Sequence, residues 1–322
     1  MYELNDYGRM MADPTRMNAY TEALRRAIEP GDVVVDVGTG TGVFAMLAAR
    51  FGARKVYAID TNPCIHLARE VAKRNGVEDR IEFIHKSVFD VELPEKADVL
   101  VSDCRGAFPL HGRHPELVFV ARDKFLKPGG RVIPLRDELL VSAVECESAH
   151  AFLRQGWTTA GFDWEPCRRA VLSSALTGRE VELADAKPLI PHTAWASIDY
   201  AGGTATVVRG SVSANATAAG TIHFLVLSFR AHLADRLGYR ADEIRGVYAP
   251  LVLPLEQPLS VGQGEAVGVR IDAFPTAADY MFAWRLRAGA EERRQATDGN
   301  PKTSLPLEFP PGTGQPTSPR IP

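Results

Sequence analysis

Residues 32–60 read DVVVDVGTGTGVFAMLAARFGARKVYAID, and the order of elements in this stretch decides the fold. The apolar run 33–37 is typical of a buried parallel strand, and it leads into Gly38, Gly40 and Gly42. A helix with an apolar face is predicted next, and a second strand then ends in Asp60. Strand, glycine turn, helix, strand and terminal acid together predict half of a Rossmann-like nucleotide-binding domain.

The details of the glycine loop indicate which nucleotide cofactor it binds. A dinucleotide loop would read G-x-G-x-x-G and leave the amide groups of the helix free for a pyrophosphate. Here a carboxylate precedes alternating glycines, and it would repel a pyrophosphate but suits a ligand with an ammonium group. A carboxylate at the end of the second strand can accept hydrogen bonds from ribose hydroxyls. We therefore expect S-adenosylmethionine (SAM) to bind through Asp36, Gly38, Thr39, Gly40, Gly42 and Asp60.

Composition limits the classes of protein to which the chain can belong. A length of 322 residues is sufficient for two domains, and the net charge of −3 gives no basic field for a nucleic-acid partner. No apolar run approaches ~20 residues, so we expect no membrane span. The four cysteines have no metal-ligand spacing, and the N-terminus lacks a signal-peptide core. These features predict a cytoplasmic protein without a structural metal or a nucleic-acid or membrane partner.

The sequence pattern changes near residue 134. Helical periodicity gives way to short period-two segments, such as 180–183 and 205–212, which Gly, Pro and Asn turns separate. This spacing is typical of a β-sandwich or a β-barrel. We predict an N-terminal helix and a Rossmann-like α/β domain over 1–134, a β-barrel domain over 135–290, and a flexible proline-rich tail over 291–322.

Several separated segments resemble the protein arginine methyltransferase family. They are MMADPTR at 10–16, VDVGTGTG at 35–42, ARDKFLKPGG at 121–130 and PLEQP at 254–258. Their common order along the chain is more specific than one glycine loop alone. The resemblance implies a class I SAM-dependent methyltransferase domain followed by a β-barrel.

The resemblance also implies roles for individual residues. By this resemblance, Arg16 is expected to pair with the cofactor carboxylate, Met10 to lie near the sulfonium, and Val88 to contact the adenine. The segment around Trp157 resembles the family's dimerisation arm, which we therefore expect near 150–175. The chain is accordingly expected to form a homodimer.

The acceptor loop departs from the family pattern. The family loop S-E-W-M-G-Y-x-L-x-x-E holds a guanidinium between two glutamates, which fixes the planar cation bidentately. Residues 102–112 read SDCRGAFPLHG, so that Asp103 replaces the first glutamate and Gly112 the second. Arg105 adds a positive charge, and the family's later T-H-W motif appears as 246–248, GVY, without its histidine.

Three residues of this loop are candidates for chemistry. Asp103, at the end of a strand, can orient an amine or a hydroxyl, although it can equally cap the following turn. His111 can act as a base near neutral pH, or it can be an ordinary exposed loop histidine. Arg105 can bind a carboxylate or phosphate of a substrate, or it can form a salt bridge with Asp103.

From the altered loop we expect a methyltransferase that modifies a nitrogen or oxygen of a small molecule, either an amino acid or a biosynthetic intermediate. The alternative is an arginine N-methyltransferase that acts on free arginine or on a protein or peptide. That alternative would need another carboxylate, such as Glu116, in place of the missing glutamate. A third hypothesis is a SAM-binding regulatory or scaffold protein without turnover.

Overall fold

The computed structural model describes residues 2–157, 159–241, 247–277 and 279–297. The helices are α1 (Leu4–Ala12), α2 (Pro14–Ala27), α3 (Val43–Arg50), α4 (Ile65–Arg74), α5 (His114–Phe125), α6 (Glu147–Arg154) and α7 (Glu165–Leu172). The first strands are β1 (Val33–Val37), β2 (Lys55–Asp60), β3 (Ile81–His85), β4 (Ala97–Ser102) and β5 (Leu126–Ile133). The later strands are β6 (Arg136–Glu145), β7 (Leu176–Thr177), β8 (Lys187–Asp199), β9 (Val208–Asn215), β10 (Gly220–Ala234), β11 (Leu237–Ala241), β12 (Leu251–Val261), β13 (Ala266–Pro275), β14 (Tyr280–Ala288) and β15 (Glu291–Ala296).

The N-terminal domain is built on a parallel five-stranded sheet in the order β3-β2-β1-β4-β5. All five residues of β1 are buried, as the apolar run predicts. From β1 the chain proceeds outward to β2 and β3, and it returns on the other side of β1 as β4. The strand order therefore reverses between β1 and β4, and ligands bind at such a point beyond the carboxyl ends of the strands. The glycine loop follows β1, and Asp103 follows β4.

Two helices precede the sheet, and the sequence indicated only the second. The side chain of Asp13 accepts a hydrogen bond from the backbone N–H of Arg16 at 3.1 Å, and Pro14 occupies the first helical position of α2. The helix buries Tyr20 and Leu24 on its inner face. Helix α1 contains no buried residue, although Leu4, Tyr7 and Met11 recur along it at helical spacing.

The C-terminal domain is antiparallel and barrel-like, in agreement with the predicted fold class. One of its sheets has the order β7-β12-β10-β6-β8, with β11 beside β10, and the other has the order β15-β14-β13-β9. The prediction of a strand at 180–183 is wrong, because this segment is a turn and loop that follows the short strand β7. The predicted tail is wrong over 291–296, which form β15, and its residues 298–322 lie outside the described residues.

Helices α6 and α7 project within the region predicted to be a dimerisation arm. Phe152 is 61% exposed and Phe162 is 70% exposed, which is unusual for large apolar side chains. Residue 158, between the two helices, is outside the described residues. This helical pair therefore presents apolar surface to solvent at the edge of the barrel-like domain.

Candidate active site

Two cavities meet where the parallel sheet faces the barrel-like domain. The first, the glycine-loop cavity, has a volume of about 320 Å³, and its walls include Met10, Arg16, Gly38, Thr39 and Asp60. The second, the barrel-side cavity, has a volume of about 210 Å³, and its walls include Asp6, Arg9, His111, Arg179 and Tyr248. Tyr2, Met10 and Asp103 line both cavities, so that Asp103 lies at their junction.

The glycine loop forms a wall of the first cavity from backbone atoms. Gly38 has a φ of 76° and Gly40 a φ of 56°, in the left-handed region that favours glycine. A Cβ atom at Gly38 would lie 2.0 Å from the sulfur of Cys104, and one at Gly40 would lie 2.4 Å from the ring of Tyr7. Side chains are therefore excluded at both positions, and the loop is held close to neighbouring residues. Gly42 caps the start of α3 with a φ of 84°.

Asp36 lies behind the glycine loop rather than in the cavity wall. Its side chain is fully buried and accepts hydrogen bonds from the hydroxyl of Thr39 at 2.6 Å and from the backbone N–H of Ala45 at 3.1 Å. Burial raises the pKa of Asp36 to about 7, although the hydrogen bond from Thr39 opposes this shift. This placement corrects the expectation that Asp36 contacts the cofactor, since the residue instead holds the loop in shape.

Asp60 lines the glycine-loop cavity at the end of β2, where the sequence places it. One carboxylate oxygen accepts from the backbone N–H of Gly40 at 2.7 Å, and the other accepts from that of Asn62 at 2.7 Å. These bonds fix the orientation of the carboxylate. Each oxygen has two lone pairs and so keeps capacity for a hydroxyl group of a ligand.

Arg16 and Met10 also lie in the wall, whereas Val88 does not. The side chain of Arg16 is almost fully buried, and one of its terminal nitrogens donates to the carbonyl oxygen of Met10 at 3.2 Å. Arg16 thus places a cation beside the glycine-loop cavity. Val88 is buried at the start of a short turn after β3 and is absent from the walls of both cavities.

Asp103 is surrounded by cations and a hydroxyl group. One oxygen accepts from Arg16 Nε at 2.7 Å and from the hydroxyl of Tyr248, and the other accepts from Arg105 at 2.6 Å. Burial alone would raise the pKa of Asp103, but the guanidinium groups of Arg16 and Arg105 outweigh it and hold this pKa below its ordinary value. Asp103 is consequently ionised at neutral pH, and it is an acceptor of hydrogen bonds rather than a base.

Arg105 is fully buried behind Asp103 and lines neither cavity. Its guanidinium group donates to both carboxylate oxygens of Asp137 on β6, at 2.7 and 3.0 Å, and to the hydroxyl of Tyr20 on α2. Tyr200 donates a further hydrogen bond to Asp137 at 2.7 Å. The expectation that Arg105 binds a substrate anion is therefore corrected. Its charge is neutralised internally, and it joins the sheet domain to the barrel-like domain.

His111 lies in the barrel-side cavity and is paired with an acid that sequence reasoning missed. Its Nδ1 atom is 3.1 Å from a carboxylate oxygen of Asp279 on the barrel side. The hydrogen bond to Asp279 raises the pKa of His111 above its ordinary value, against the opposing effect of burial. The close packing of this ring requires Gly106, where a Cβ atom would lie 2.2 Å from the imidazole. A histidine–carboxylate pair at a cavity wall can accept a proton.

The structure does not supply a second carboxylate next to Asp103 from the positions proposed for it. Gly112 has no side chain, and Glu116 on α5 is engaged by Arg113 in a bidentate ion pair. Asp6 is the other acid in the barrel-side cavity, and it pairs with Arg9. Glu116 is thus unsuited to replace the missing glutamate.

Two residues of the site could not be identified from the sequence. Tyr2 lines both cavities and comes from an N-terminal segment without a strong pattern. Asp279 is 168 positions from its partner His111, and a single sequence has no signal for such a pair. Tyr7 and Tyr248 could be named as candidate wall residues, and they line the glycine-loop cavity and the barrel-side cavity, respectively.

The described residues contain no group of three or more His, Cys, Asp or Glu side chains arranged to hold a metal ion. In the same part of the chain, no helix is long and apolar enough to cross a membrane.

Part of the chain is similar in sequence to known methyltransferases. Residues 15–104 match the family model described as ribosomal protein L11 methyltransferase. Over 138 residues, or 42% of this chain and 39% of the relative, the sequence is 43% identical to protein arginine N-methyltransferase 6 of Danio rerio. The chain spans about two fifths of the length of this relative and of two further curated relatives. In the protein arginine N-methyltransferase 1 of Schizosaccharomyces pombe the match is 33% identical and covers 52% of this chain and 50% of the relative.

Solved structures resemble nearly the whole chain. A chain of the Trypanosoma brucei PRMT1 enzyme–prozyme heterotetrameric complex with AdoHcy matches with a TM-score of 0.76 and 25% identity, over 90% of this chain and 96% of that one. Arabidopsis thaliana protein arginine methyltransferase 10 matches with a TM-score of 0.73 and 20% identity, over 92% and 98%. The predicted resemblance to protein arginine methyltransferases is confirmed, in sequence over about two fifths of the chain and in fold over both domains.

Proposed function

Because the chain has the fold of the protein arginine methyltransferases and resembles them in sequence over about two fifths of its length, we propose that it is a SAM-dependent N-methyltransferase acting on arginine. The observation that carries this proposal is the meeting of two cavities at the ionised side chain of Asp103. A methyl donor in one cavity and a nitrogen acceptor in the other would meet there. Methyl transfer needs in-line geometry and a place for a proton, and the junction offers both.

The residues of the glycine-loop cavity fit SAM chemically. Gly38 and Thr39 of the loop line the cavity, in which a ligand can lie against them. Asp60 provides a carboxylate for ribose hydroxyls, and Arg16 provides a cation for the carboxylate of the cofactor. Tyr2 and Tyr7 add aromatic surface. The bound cofactor would supply an electrophilic methyl group on a sulfonium.

The remaining steps fall to side chains of the barrel-side cavity. Asp103 would orient the acceptor nitrogen through a charge-assisted hydrogen bond and keep a cationic acceptor at the junction. Methylation of a guanidinium nitrogen releases one proton. The neutral imidazole of His111, held by Asp279, would accept that proton.

A second candidate is a small-molecule acceptor that carries a carboxylate, and specific observations favour it. The two-glutamate clamp is absent, since Gly112 replaces its second member and Glu116 is paired with Arg113. Arg9 and Arg179 in the barrel-side cavity can bind an anionic group of an acceptor. Free arginine satisfies both candidates, because it combines a guanidinium with a carboxylate.

The test is methyl transfer from labelled SAM to free arginine, arginine-rich peptides and a panel of other amino acids and amines. Methylated arginine, free or in a peptide, is the expected product. Transfer exclusively to other amino acids or amines would replace the arginine proposal with the small-molecule candidate. Tight SAM binding without turnover on any acceptor would favour the regulatory or scaffold hypothesis and overturn both.

We also infer a homodimer and a cytoplasmic location. Phe152 on α6 and Phe162 in the connection to α7 are exposed and support the dimer, because large apolar side chains in solvent are typical of an interface. Light scattering should report twice the chain mass of 35.1 kDa. A monomeric mass at micromolar concentration would contradict the dimer.

A further inference from the structure

The four-stranded sheet of β9, β13, β14 and β15 carries a basic outer face far along the chain from the glycine loop. Along β13 and β14 the apolar residues are buried, whereas Arg270, Arg285 and Arg287 point the other way. We call this outer surface the arginine face. Its arginines are Arg209, Arg270, Arg285, Arg287 and Arg294.

Three of these arginines form a row across neighbouring strands. Arg270 is the register partner of Arg285, and Arg285 is the register partner of Arg294. Like charges directly opposite each other in a sheet are destabilising. The row therefore has an energetic cost unless an anion lies against it.

The acids on the arginine face are too few to neutralise it. Asp272 pairs with Arg270 at 3.1 Å and with Arg209 at 3.8 Å. Glu292 pairs with Arg294 and lies 3.8 Å from Arg285. These two carboxylates serve five guanidinium groups, which leaves an excess of three positive charges on a chain whose net charge is −3.

Two arginines keep donors available for a ligand. In the described part of the chain, Arg287 has no carboxylate within ion-pair distance, and its Nε donates to the carbonyl oxygen of Gly289 at 3.4 Å. Arg285 makes no hydrogen bond among the same residues, and its Nε is 3.8 Å from the carboxylate of Glu292. The exposed terminal nitrogens of both guanidinium groups therefore keep donors for a ligand.

The row borders an open cavity of about 360 Å³. Arg270, Arg285 and Arg287 form one side, Ser211 and Ser213 form the other, and Gly268 lies between them. A Cβ atom at Gly268 would meet no other atom within 4 Å, so the space above it is open. Guanidinium and hydroxyl donors thus converge on one depression in the sheet.

We propose that the arginine face binds an acidic segment of a polypeptide partner. Neighbouring strands are about 4.8 Å apart, so the three arginines of the row span roughly 10 Å, which is more than one carboxylate covers. Alternate side chains of an extended peptide are about 6.7 Å apart and lie on one side. Two or three alternate carboxylates would therefore match the row and balance its excess charge, with bidentate guanidinium–carboxylate pairs providing specificity. This proposal is independent of the methyl acceptor.

The test uses the full chain and a rhodamine-labelled octapeptide of alternating serine and glutamate, with binding followed by fluorescence anisotropy. The test variant is Arg270→Gln/Arg285→Gln. The matched control is Arg25→Gln/Arg26→Gln on α2, which also removes two exposed arginines that share one acid, Glu22. We expect salt-sensitive binding to the wild type, about tenfold weaker binding to the test variant, and a change within about twofold for the control.

If both variants bind the peptide equally weakly, the effect depends only on net charge and the proposal is overturned. Unchanged affinity in the test variant would also overturn it. Equally strong binding of a serine–glutamine octapeptide would also overturn it. Tighter binding of an oligouridylate with the same charge would assign the face to nucleic acid instead. Thermal unfolding of each variant serves as a check on folding, and if the double variant unfolds, the exposed single variant Arg287→Gln replaces it with the same expected direction.

Discussion

The two cavities that meet at Asp103 differ in how the chain builds them. The glycine-loop cavity is lined by the N-terminal domain alone, in short segments between Tyr2 and Gly112, and the glycine loop forms one of its walls. The barrel-side cavity collects charged and aromatic side chains from α1, the loop 103–112 and the barrel-like domain. One domain with a recognisable backbone motif thus forms the cofactor side, whereas side chains of both domains form the acceptor side.

The largest effect on stability is expected from Arg105, which links the two domains. Arg105→Met would leave Asp137 buried and without its cation, which costs about 3–5 kcal/mol of unfolding free energy. Denaturant unfolding measures this loss. In the double variant Arg105→Met/Asp137→Leu the loss should be smaller, because no unpaired charge remains buried. A loss of less than about 1 kcal/mol in the single variant would mean that the network does not hold the domains together.

A second prediction concerns proton transfer on the acceptor side. His111 must be neutral to accept a proton, so turnover should rise with pH through its elevated pKa. Asp279→Asn removes the carboxylate that raises this pKa, and the acid limb of the kcat profile should therefore move to lower pH. His111→Gln should abolish the limb and lower kcat about 100-fold.

The control for this profile is Asp235→Asn, which removes an exposed acid far from both cavities. It should leave the acid limb in place. An unchanged limb in Asp279→Asn, or a retained limb in His111→Gln, would show that another group accepts the proton.

A smaller effect is expected from Tyr248, which contacts Asp103 from the barrel side. Tyr248→Phe removes two charge-assisted hydrogen bonds, one donated to Asp103 and one accepted from Arg16, so kcat should fall about tenfold. Tyr239 donates to the hydroxyl of Tyr248 at 2.9 Å without contacting Asp103, so Tyr239→Phe should lower kcat by less. A larger loss in Tyr239→Phe would contradict the assignment of Tyr248 as the residue that positions Asp103.

The contrast between the cavities also explains what could be predicted from the sequence. The strand 33–37, the glycine loop, Asp60 and the cap formed by Asp13 have local patterns, and the structure places all of them as expected. The fold class and the resemblance to protein arginine methyltransferases depend on such segments, and both are confirmed. The roles of the site residues stay predictions.

The expectations for Asp36 and Arg105 were wrong because both side chains are buried and line neither cavity. Asp36 is held within its own loop by Thr39 and Ala45. The pair of Arg105 with Asp137 on β6 depends on how the two domains pack, which periodicity cannot reveal. Helix α1 was missed although its apolar residues recur at helical spacing.

The most direct test of this division of roles compares cofactor binding and turnover in Asp103→Asn. Calorimetry with S-adenosylhomocysteine should give an affinity within about threefold of wild type, because asparagine fills the same space in the cavity wall and Asp60, Arg16 and the glycine loop are unchanged. Methyl transfer to the accepted substrate should fall by at least about 100-fold, because the acceptor loses its charged anchor. Parallel losses of affinity and turnover, or unchanged turnover, would contradict the account.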